Sequence, residues 1–482
     1  MMAILVVWLT RAVQGFNEFV LWYFLVLNVS YLLLFFVSLG EVIRFLNRTF
    51  FSDYQQILRS DMTLPISLIV PAFNEEKTIV DTVKSLQMLN YPEFEIIVVN
   101  DGSFDATLNR LLTGFELRRV DRVYKRSLPT KALRGIYASP LLPNLTVIDK
   151  ERGGKSDALN CGINLSRYPL FCSMDADSVI EDDALLKAVK PFMEFPDETV
   201  AVGGIVRCVN GCTVTEGRVT TIALPRRALP IFQVVEYLRA FLSGRLGWSA
   251  LRALLLISGA FGVYRKSAVV EAGGYDDTTD TEDLELVLAL HHLHRSKRRP
   301  YRIVFVPDPV CWTEVPSTWT VLRRQRNRWH RGMLQSMWRH RRMFLNPRYG
   351  IMGLLVFPYF LIFEALGPFV EVLGYLSIPI AWLLGILATK FFLLFFAVAV
   401  LFGVFLSVAA ILLEEISFRR YPGWQDLGKL VLCGVLENFG YRQTLAIFKM
   451  QASWEYLRGL RAWGRMHRVG FEAGAAAGAK AS

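Results

Sequence analysis

The stretch "ISLIVPAFNEEKTIVDTVKSLQ", residues 66–87, sets an apolar run beside a polar turn and then an amphipathic segment. Its first part, 66–71, reads as a strand, and 74–87 reads as a helix with two acids in its opening turn. The pattern recurs. "FEIIVV" (94–99) is a second strand that ends in "NDGS", "TVID" (146–149) is a third, followed by a helix from Ser156, and "PLFCSMDAD" (169–177) is a fourth. Strands so uniformly apolar are covered on both faces, which predicts an α/β domain with a mostly parallel sheet. Ligands of such sheets sit beyond the carboxyl ends of the strands, so "PAFNE", "NDGS" and "DAD" are expected to face one crevice.

Composition places this domain beside a membrane. Of 482 residues 53% are hydrophobic, and a mean hydropathy of +0.32 is too high for a wholly soluble chain of this length. Phe19 to Leu39 carries no charge between Glu18 and Glu41, which suits the roughly 20 residues that cross a bilayer. No small-x-small cleavage site follows, so the run reads as an anchor and not as a signal peptide. A second apolar block, 351–416, is interrupted at Gly367-Pro368, Gly374, Pro379 and Lys390, and spans are expected near 351–369, 372–389 and 391–413. A further span, about 428–448, carries Glu437 and Arg442. Arg339, Arg341, Arg342 and Arg348 flank the block, which predicts a cytoplasmic soluble domain, an outer N-terminus and a basic cytoplasmic tail.

The expected parts are an N-terminal transmembrane helix (1–46), the α/β domain (60–315), interfacial amphipathic helices (316–348), a helical transmembrane bundle (349–450) and the tail (451–482). The net charge of +11 follows from this placement and implies no nucleic-acid partner. Of six cysteines only Cys208 and Cys212 are close together; they lack the paired spacing of a zinc site and read as small buried residues of a reducing compartment.

Four motifs bear chemistry. Asp175 and Asp177, two residues apart at a strand's end, repel one another unless a cation joins them. Mg²⁺ or Mn²⁺ prefers such oxygen ligands and shares them with phosphates; the alternative is a turn with solvated acids. Gly154-Lys155-Ser156 is not a P-loop, because that pattern requires glycine where this chain has Asp149. It leaves a turn open to an anion, a lysine, and a helix amino end. "TEDLEL" (281–286) opens a helix with Thr281 as N-cap, where Glu282 and Asp283 either complement the dipole or provide a general base. In "RRQRNRWHRG" (323–332), Gln325, Arg328 and Trp329 share a helical face, with space left by Gly332. An arginine fork suits a phosphate and an indole suits a sugar ring. The surplus arginines, with no acid between Glu314 and Glu364, suit lipid headgroups.

In their order, "VPAFNEE", "VVNDGS", "GGKSDALN", "DAD", "TED" and "QRNRW" resemble the membrane-embedded family-2 glycosyltransferases that make cellulose, chitin, hyaluronan and poly-N-acetylglucosamine, over roughly residues 64–345. The resemblance implies a nucleotide-sugar-binding domain of glycosyltransferase A type. It implies that Asp101 contacts the nucleotide, that Lys155 lies near the diphosphate, and that Asp175 and Asp177 bind UDP and Mg²⁺ or Mn²⁺. By the same resemblance Asp283 is the base on the acceptor hydroxyl, Gln325 and Arg328 grip the pyrophosphate, and Trp329 lies beneath the acceptor sugar. "ISGAFGVYR" (257–265) is similar to the loop at the acceptor entrance.

The implied activity is inverting, processive transfer from a UDP-sugar to a polysaccharide that is passed through a bacterial inner membrane. Membrane lipids and accessory export proteins are the further partners implied. The alternative is transfer of one sugar to a membrane lipid, which needs no channel and hence fewer spans. Glu364 and Glu371, seven residues apart, are expected on one face of a span, either as a polar wall for the polysaccharide or paired with bases such as Arg442.

Overall fold

The computed structural model describes residues 2–50, 63–215, 217–421 and 423–460, so positions 461–482 of the expected basic tail lie outside the described residues. Its strands are β1 (Ile66–Ala72), β2 (Phe94–Asp101), β3 (Arg118–Arg119), β4 (Leu133–Ala138), β5 (Leu145–Lys150) and β6 (Leu170–Met174). They continue as β7 (Ser178–Ile180), β8 (Thr199–Cys208), β9 (Thr213–Thr215), β10 (Arg218–Thr221), β11 (Phe261–Arg265) and β12 (Arg302–Thr313). Ten of these form one sheet in the order β3-β4-β5-β2-β1-β6-β11-β8-β12-β7, while β9 and β10 make a separate ribbon.

The block β5-β2-β1-β6 is parallel, as expected, and so is the pair β8-β12. The other neighbours are antiparallel, which corrects the expectation of a mostly parallel sheet to a mixed one. Connection length accounts for one of these pairs: β1 reaches its parallel neighbour β2 through the crossover helix Ile79–Gln87, whereas β4 reaches β5 through the short loop 139–144, which reverses direction; β11 and β7 pair antiparallel across long stretches of sequence. In the parallel block Ala72 lies opposite Asn100, Asp101 opposite Lys150, and Ile69 opposite Ser173, so the carboxyl ends of all four strands come out at one edge.

The helix expected from 74 begins at Ile79. Asn74 takes φ 57°, which no α-helix accommodates, and the turn is tied instead to the loop after β2. There the Glu75 amide donates to Thr107 Oγ1 at 2.8 Å, and the Ala106 amide donates to Glu76 Oε2 at 3.0 Å. A longer helical stretch runs from Ala228–Leu238 through a π-turn, Arg239–Arg245, into Leu246–Ala250.

Two helices among the described residues are long and apolar enough to cross a membrane: Thr10–Arg48, which contains the expected span 19–39, and Thr389–Ser417. Met352–Ala365 and Gly367–Leu383 form a pair bent by 43°, which counts as a third if it is one span. The expected separate spans 351–369 and 372–389 are thus one bent pair. The region 428–448 is two helices, Trp424–Leu436 and Arg442–Leu457, parted by non-helical Phe439 and Gly440. The second of these packs along the helix Trp319–Arg339.

The bend also separates Glu364 from Glu371, so they do not share one straight helix. Glu364 accepts from the Tyr31 hydroxyl at 3.3 Å and lies 3.6 Å from Lys449, while Arg442 donates to Asn438. Base pairing therefore exists at Glu364, with Lys449 in the place foreseen for Arg442. Ion pairs, one of them fully buried, tie this helical region to the preceding domain. Arg207, in β8, meets Glu414 at 2.5 Å, and Arg239 meets Glu437.

Candidate active site

The turn after β5 organises one side of the crevice. Asp101, at the end of β2, accepts from the amides of Gly153 and Gly154 at 2.9 and 2.7 Å and from Lys150 Nζ at 2.6 Å. Lys150 is fully buried and also meets Asp157 at 2.6 Å. Burial alone would lower its ammonium, but the hydrogen bonds it donates to these two acids hold it above its ordinary value. The Asp101 carboxylate thus faces the Gly-Gly turn and fixes the start of the helix that carries Lys155. The apolar strand "TVIDK" ending in lysine was the signal for Lys150, and the reading of the motifs passed over it.

Lys155 is the hub. Its Nζ is 2.7 Å from Asp175 Oδ1 and 2.7 Å from Glu282 Oε1, and it donates to the Gly259 carbonyl at 3.4 Å. Burial works against the charge, yet the two carboxylates more than reverse it and hold the ammonium above its ordinary value. Gly259, in "ISGAFGVYR", has a backbone so close that a side chain would meet Lys155 Nζ, Asp283 and Glu282 together. Its amide donates to Asp283 Oδ2 at 2.9 Å. Lys155, Asp175, Glu282 and Asp283 are therefore gathered in one place, and Asp177, two residues on from Asp175, is buried.

Within this cluster the two adjacent acids titrate apart. Burial would raise Glu282, but Lys155 and then Arg328 outweigh it and hold its carboxyl below the usual range. Asp283 goes the other way: burial and then the neighbouring Glu282 charge push it up. Separation of this kind between neighbouring carboxyls is what assigns acid and base roles. Thr281 holds the expected N-cap position, but its hydroxyl is buried and makes no capping hydrogen bond.

The reason lies in the helix Trp319–Arg339, which crosses at this point. Any side chain at Gly332 would collide with the Thr281 hydroxyl and methyl. The space expected beside Gly332 is thus filled by Thr281, and the glycine sets how closely the arginine-rich helix approaches Glu282 and Asp283. Gly332→Leu is expected to lower activity by at least about tenfold and to destabilise the fold by about 1–3 kcal/mol, the usual range for overpacking. Turnover measured beside a thermal melt checks it.

Gln325 is buried with its Oε1 unpartnered, and Arg328 is half-buried in the field of Glu282. Trp329 has the Arg326 guanidinium 4.4 Å from its ring centroid. Two of the arginines assigned to lipid prove to be internal. Arg326 pairs with Glu236 at 2.9 Å, and Arg331 pairs with Asp280 at 2.6 Å and Glu455 at 3.4 Å. Their acids lie far off in sequence, which is why the run looked unbalanced. Arg323 and Arg324 remain exposed. At the crevice mouth Arg152 lies 4.4 Å over the Phe73 ring and 5.8 Å over Phe104, an aromatic and cationic stack that sequence inspection missed.

Among the described residues no group of three or more His, Cys, Asp or Glu is gathered as a metal site. Asp175 and Asp177 supply two carboxylates, the number with which Mg²⁺ is commonly held when phosphates complete its shell.

Two family profiles match the chain: "Glycosyl transferase family 2" over residues 67–124 and "Glycosyl transferase family group 2" over 170–406. The poly-beta-1,6-N-acetyl-D-glucosamine synthase of Staphylococcus epidermidis is 30% identical over 278 residues, 57% of this chain and 56% of that protein. The synthase of the same name from Staphylococcus aureus (strain COL) is 30% identical over 268 residues, 55% of this chain and 54% of that protein. The chain spans about half the length of these curated relatives. Among solved structures, a mannosyltransferase from Pyrobaculum calidifontis in complex with GDP-Man and Mn²⁺ is 17% identical. That match covers 91% of this chain and 100% of that one, with a TM-score of 0.49.

Proposed function

Because the chain belongs to family 2 of the glycosyltransferases, we propose that it transfers a sugar from a UDP-sugar to a hydroxyl of a growing polysaccharide, with inversion at the anomeric carbon. The observation that carries this reading is the meeting of Lys155, Asp175, Glu282 and Asp283 beyond the strand ends, beneath the helix with Gln325, Arg328 and Trp329. Asp283 takes the acceptor proton. The freed oxygen bonds to the anomeric carbon while the bond to UDP breaks, and its electron pair leaves with the diphosphate.

Lys155 and Arg328 provide positive charge where that diphosphate gathers negative charge as it leaves, with Gln325 beside them. Asp175 and Asp177 would hold Mg²⁺ or Mn²⁺, and such an ion when bound neutralises the leaving group. Asp101 acts behind Lys155, by setting the Gly153-Gly154 turn. Phe73 and Phe104 offer a planar face to the base, and Trp329 offers its ring to the acceptor sugar. Continued addition and passage of the product across the membrane complete the reading.

The test is incubation of the purified protein with labelled UDP-sugars and Mg²⁺ or Mn²⁺, followed by sizing of the product. The relatives' name points to UDP-N-acetylglucosamine as the first donor to try. Long polymer supports the reading. A single sugar on lipid replaces it with the lipid acceptor, and no transfer from any UDP-sugar overturns both. Within this reading Arg328→Lys, which keeps charge but loses the planar fork, is expected to raise the donor KM about tenfold. Arg323→Ala, on the exposed side of the same helix, is expected to change it less than about twofold in detergent. Equal effects would make the helix a generic basic surface.

A further inference from the structure

We propose that Arg245 is an acceptor-binding residue whose guanidinium donates to hydroxyl oxygens of the sugar that Asp283 deprotonates. The proposal rests on the glycosyl-transfer reading. Arg245 closes the π-turn Arg239–Arg245, three residues before Trp248. Trp248 packs 5.2 Å from Tyr359 and 6.0 Å from Phe360, and Gly247 lies against Leu34. The residue thus stands where the crevice adjoins the apolar helices, on the route by which an acceptor bound at Asp283 would extend toward them.

Its surroundings are those of an unanswered donor. The guanidinium carbon lies 3.8 Å from the Phe241 ring centroid, and Nη1 is buried with no hydrogen bond. The buried arginines 207, 326 and 331 each meet an acid within 3.0 Å; no such pair forms at Arg245 among the described residues. A buried donor left unmet is costly, so it is retained where a ligand meets it. Burial draws the Arg245 guanidinium down to about 10 against the opposing pull of Asp283, and it remains a cation at neutral pH.

Position decides which ligand. The carboxylate that Arg245 feels is Asp283, while Lys155 joins Asp175 and Glu282. Of the cluster's carboxylates it is thus the base whose charge reaches Arg245, while the ammonium of Lys155 is the cation that would meet the diphosphate. Beside a carboxylate, an uncharged hydroxylated sugar fits better than a second anion.

The experiment uses the full chain in detergent, UDP-N-acetylglucosamine as donor and a short β-1,6-linked N-acetylglucosamine oligomer as acceptor. UDP affinity and acceptor KM are measured for wild type, Arg245→Gln and Arg245→Lys. Arg245→Gln is expected to raise acceptor KM about 10- to 100-fold, the loss of hydrogen bonds from a charged donor, with UDP affinity held within about twofold. Arg245→Lys should fall between. An unchanged acceptor KM in either variant, or an equal fall in UDP affinity in Arg245→Lys, overturns the proposal. Absence of wild-type transfer with every UDP-sugar would instead defeat the glycosyl-transfer reading itself.

Discussion

Asp283→Asn is expected to lower turnover by about 10²- to 10⁴-fold, the usual scale of general-base catalysis, while UDP binds as before. The amide preserves the shape of the side chain, and its oxygen can still accept from the Gly259 amide, so the site need not rearrange. What it removes is the ability to take a proton. The pH profile supplies a second reading. Burial and Glu282 hold the Asp283 carboxyl above the ordinary range, so as pH falls the wild-type base is protonated, and activity lost, before an ordinary aspartate would titrate. Glu282→Gln removes the like charge and should move that acid limb to lower pH. Equal loss of UDP binding and turnover in Asp283→Asn would make Asp283 a structural anchor for the Gly259 loop.

Removal of divalent metal is expected to reduce transfer to background, at least about 10²-fold, with recovery on adding Mg²⁺ or Mn²⁺. The argument is one of charge. Asp175 and Glu282 share the single ammonium of Lys155, Arg328 adds its charge near Glu282 and Arg245 near Asp283, and a diphosphate would bring further negative charge to the same crevice. Asp177→Asn should match the effect of EDTA without unfolding the protein. It is the cleaner substitution, because Asp175 also holds Lys155 at 2.7 Å. Full activity in excess EDTA would sink the metal assignment.

The parallel block and the order of the motifs were legible in the sequence because both follow from local pattern: buried strands, turns and helix starts repeat within short windows. The strands β1, β2, β5 and β6 fall where the apolar runs lie, and the crevice forms at their shared ends. What escaped was long-range. Glu236, Asp280 and Glu455 sit in three different segments, so nothing near residues 323–332 announced that Arg326 and Arg331 are neutralised within the protein. The same holds for β11, which enters antiparallel between β6 and β8; the break at Phe439-Gly440, by contrast, falls within the polar stretch Glu437 to Arg442, through which a single span was expected to run. Asp101 was assigned to the nucleotide by resemblance; its hydrogen bonds to Gly153, Gly154 and Lys150 depend on a turn that residue spacing does not reveal.

The ion pairs between the sheet domain and the later helices have a practical consequence for anyone who wishes to crystallise the catalytic part alone. A chain shortened to 63–345 would leave Arg207 without Glu414 and Arg331 without Glu455, and would strip Tyr441 from Glu236 and Ser453 from His330. A buried ion whose partner is removed costs about 3–5 kcal/mol, against a total domain stability of roughly 5–15 kcal/mol. Arg207 and Glu414 are both nearly inaccessible to water in the full chain, and the same truncation removes Ile411, Tyr421 and Leu430 from the apolar cluster around Cys208, Val234 and Val235, leaving that face bare. The excised piece would be recovered as aggregate, and one that folds would need Arg207 replaced by an apolar residue first.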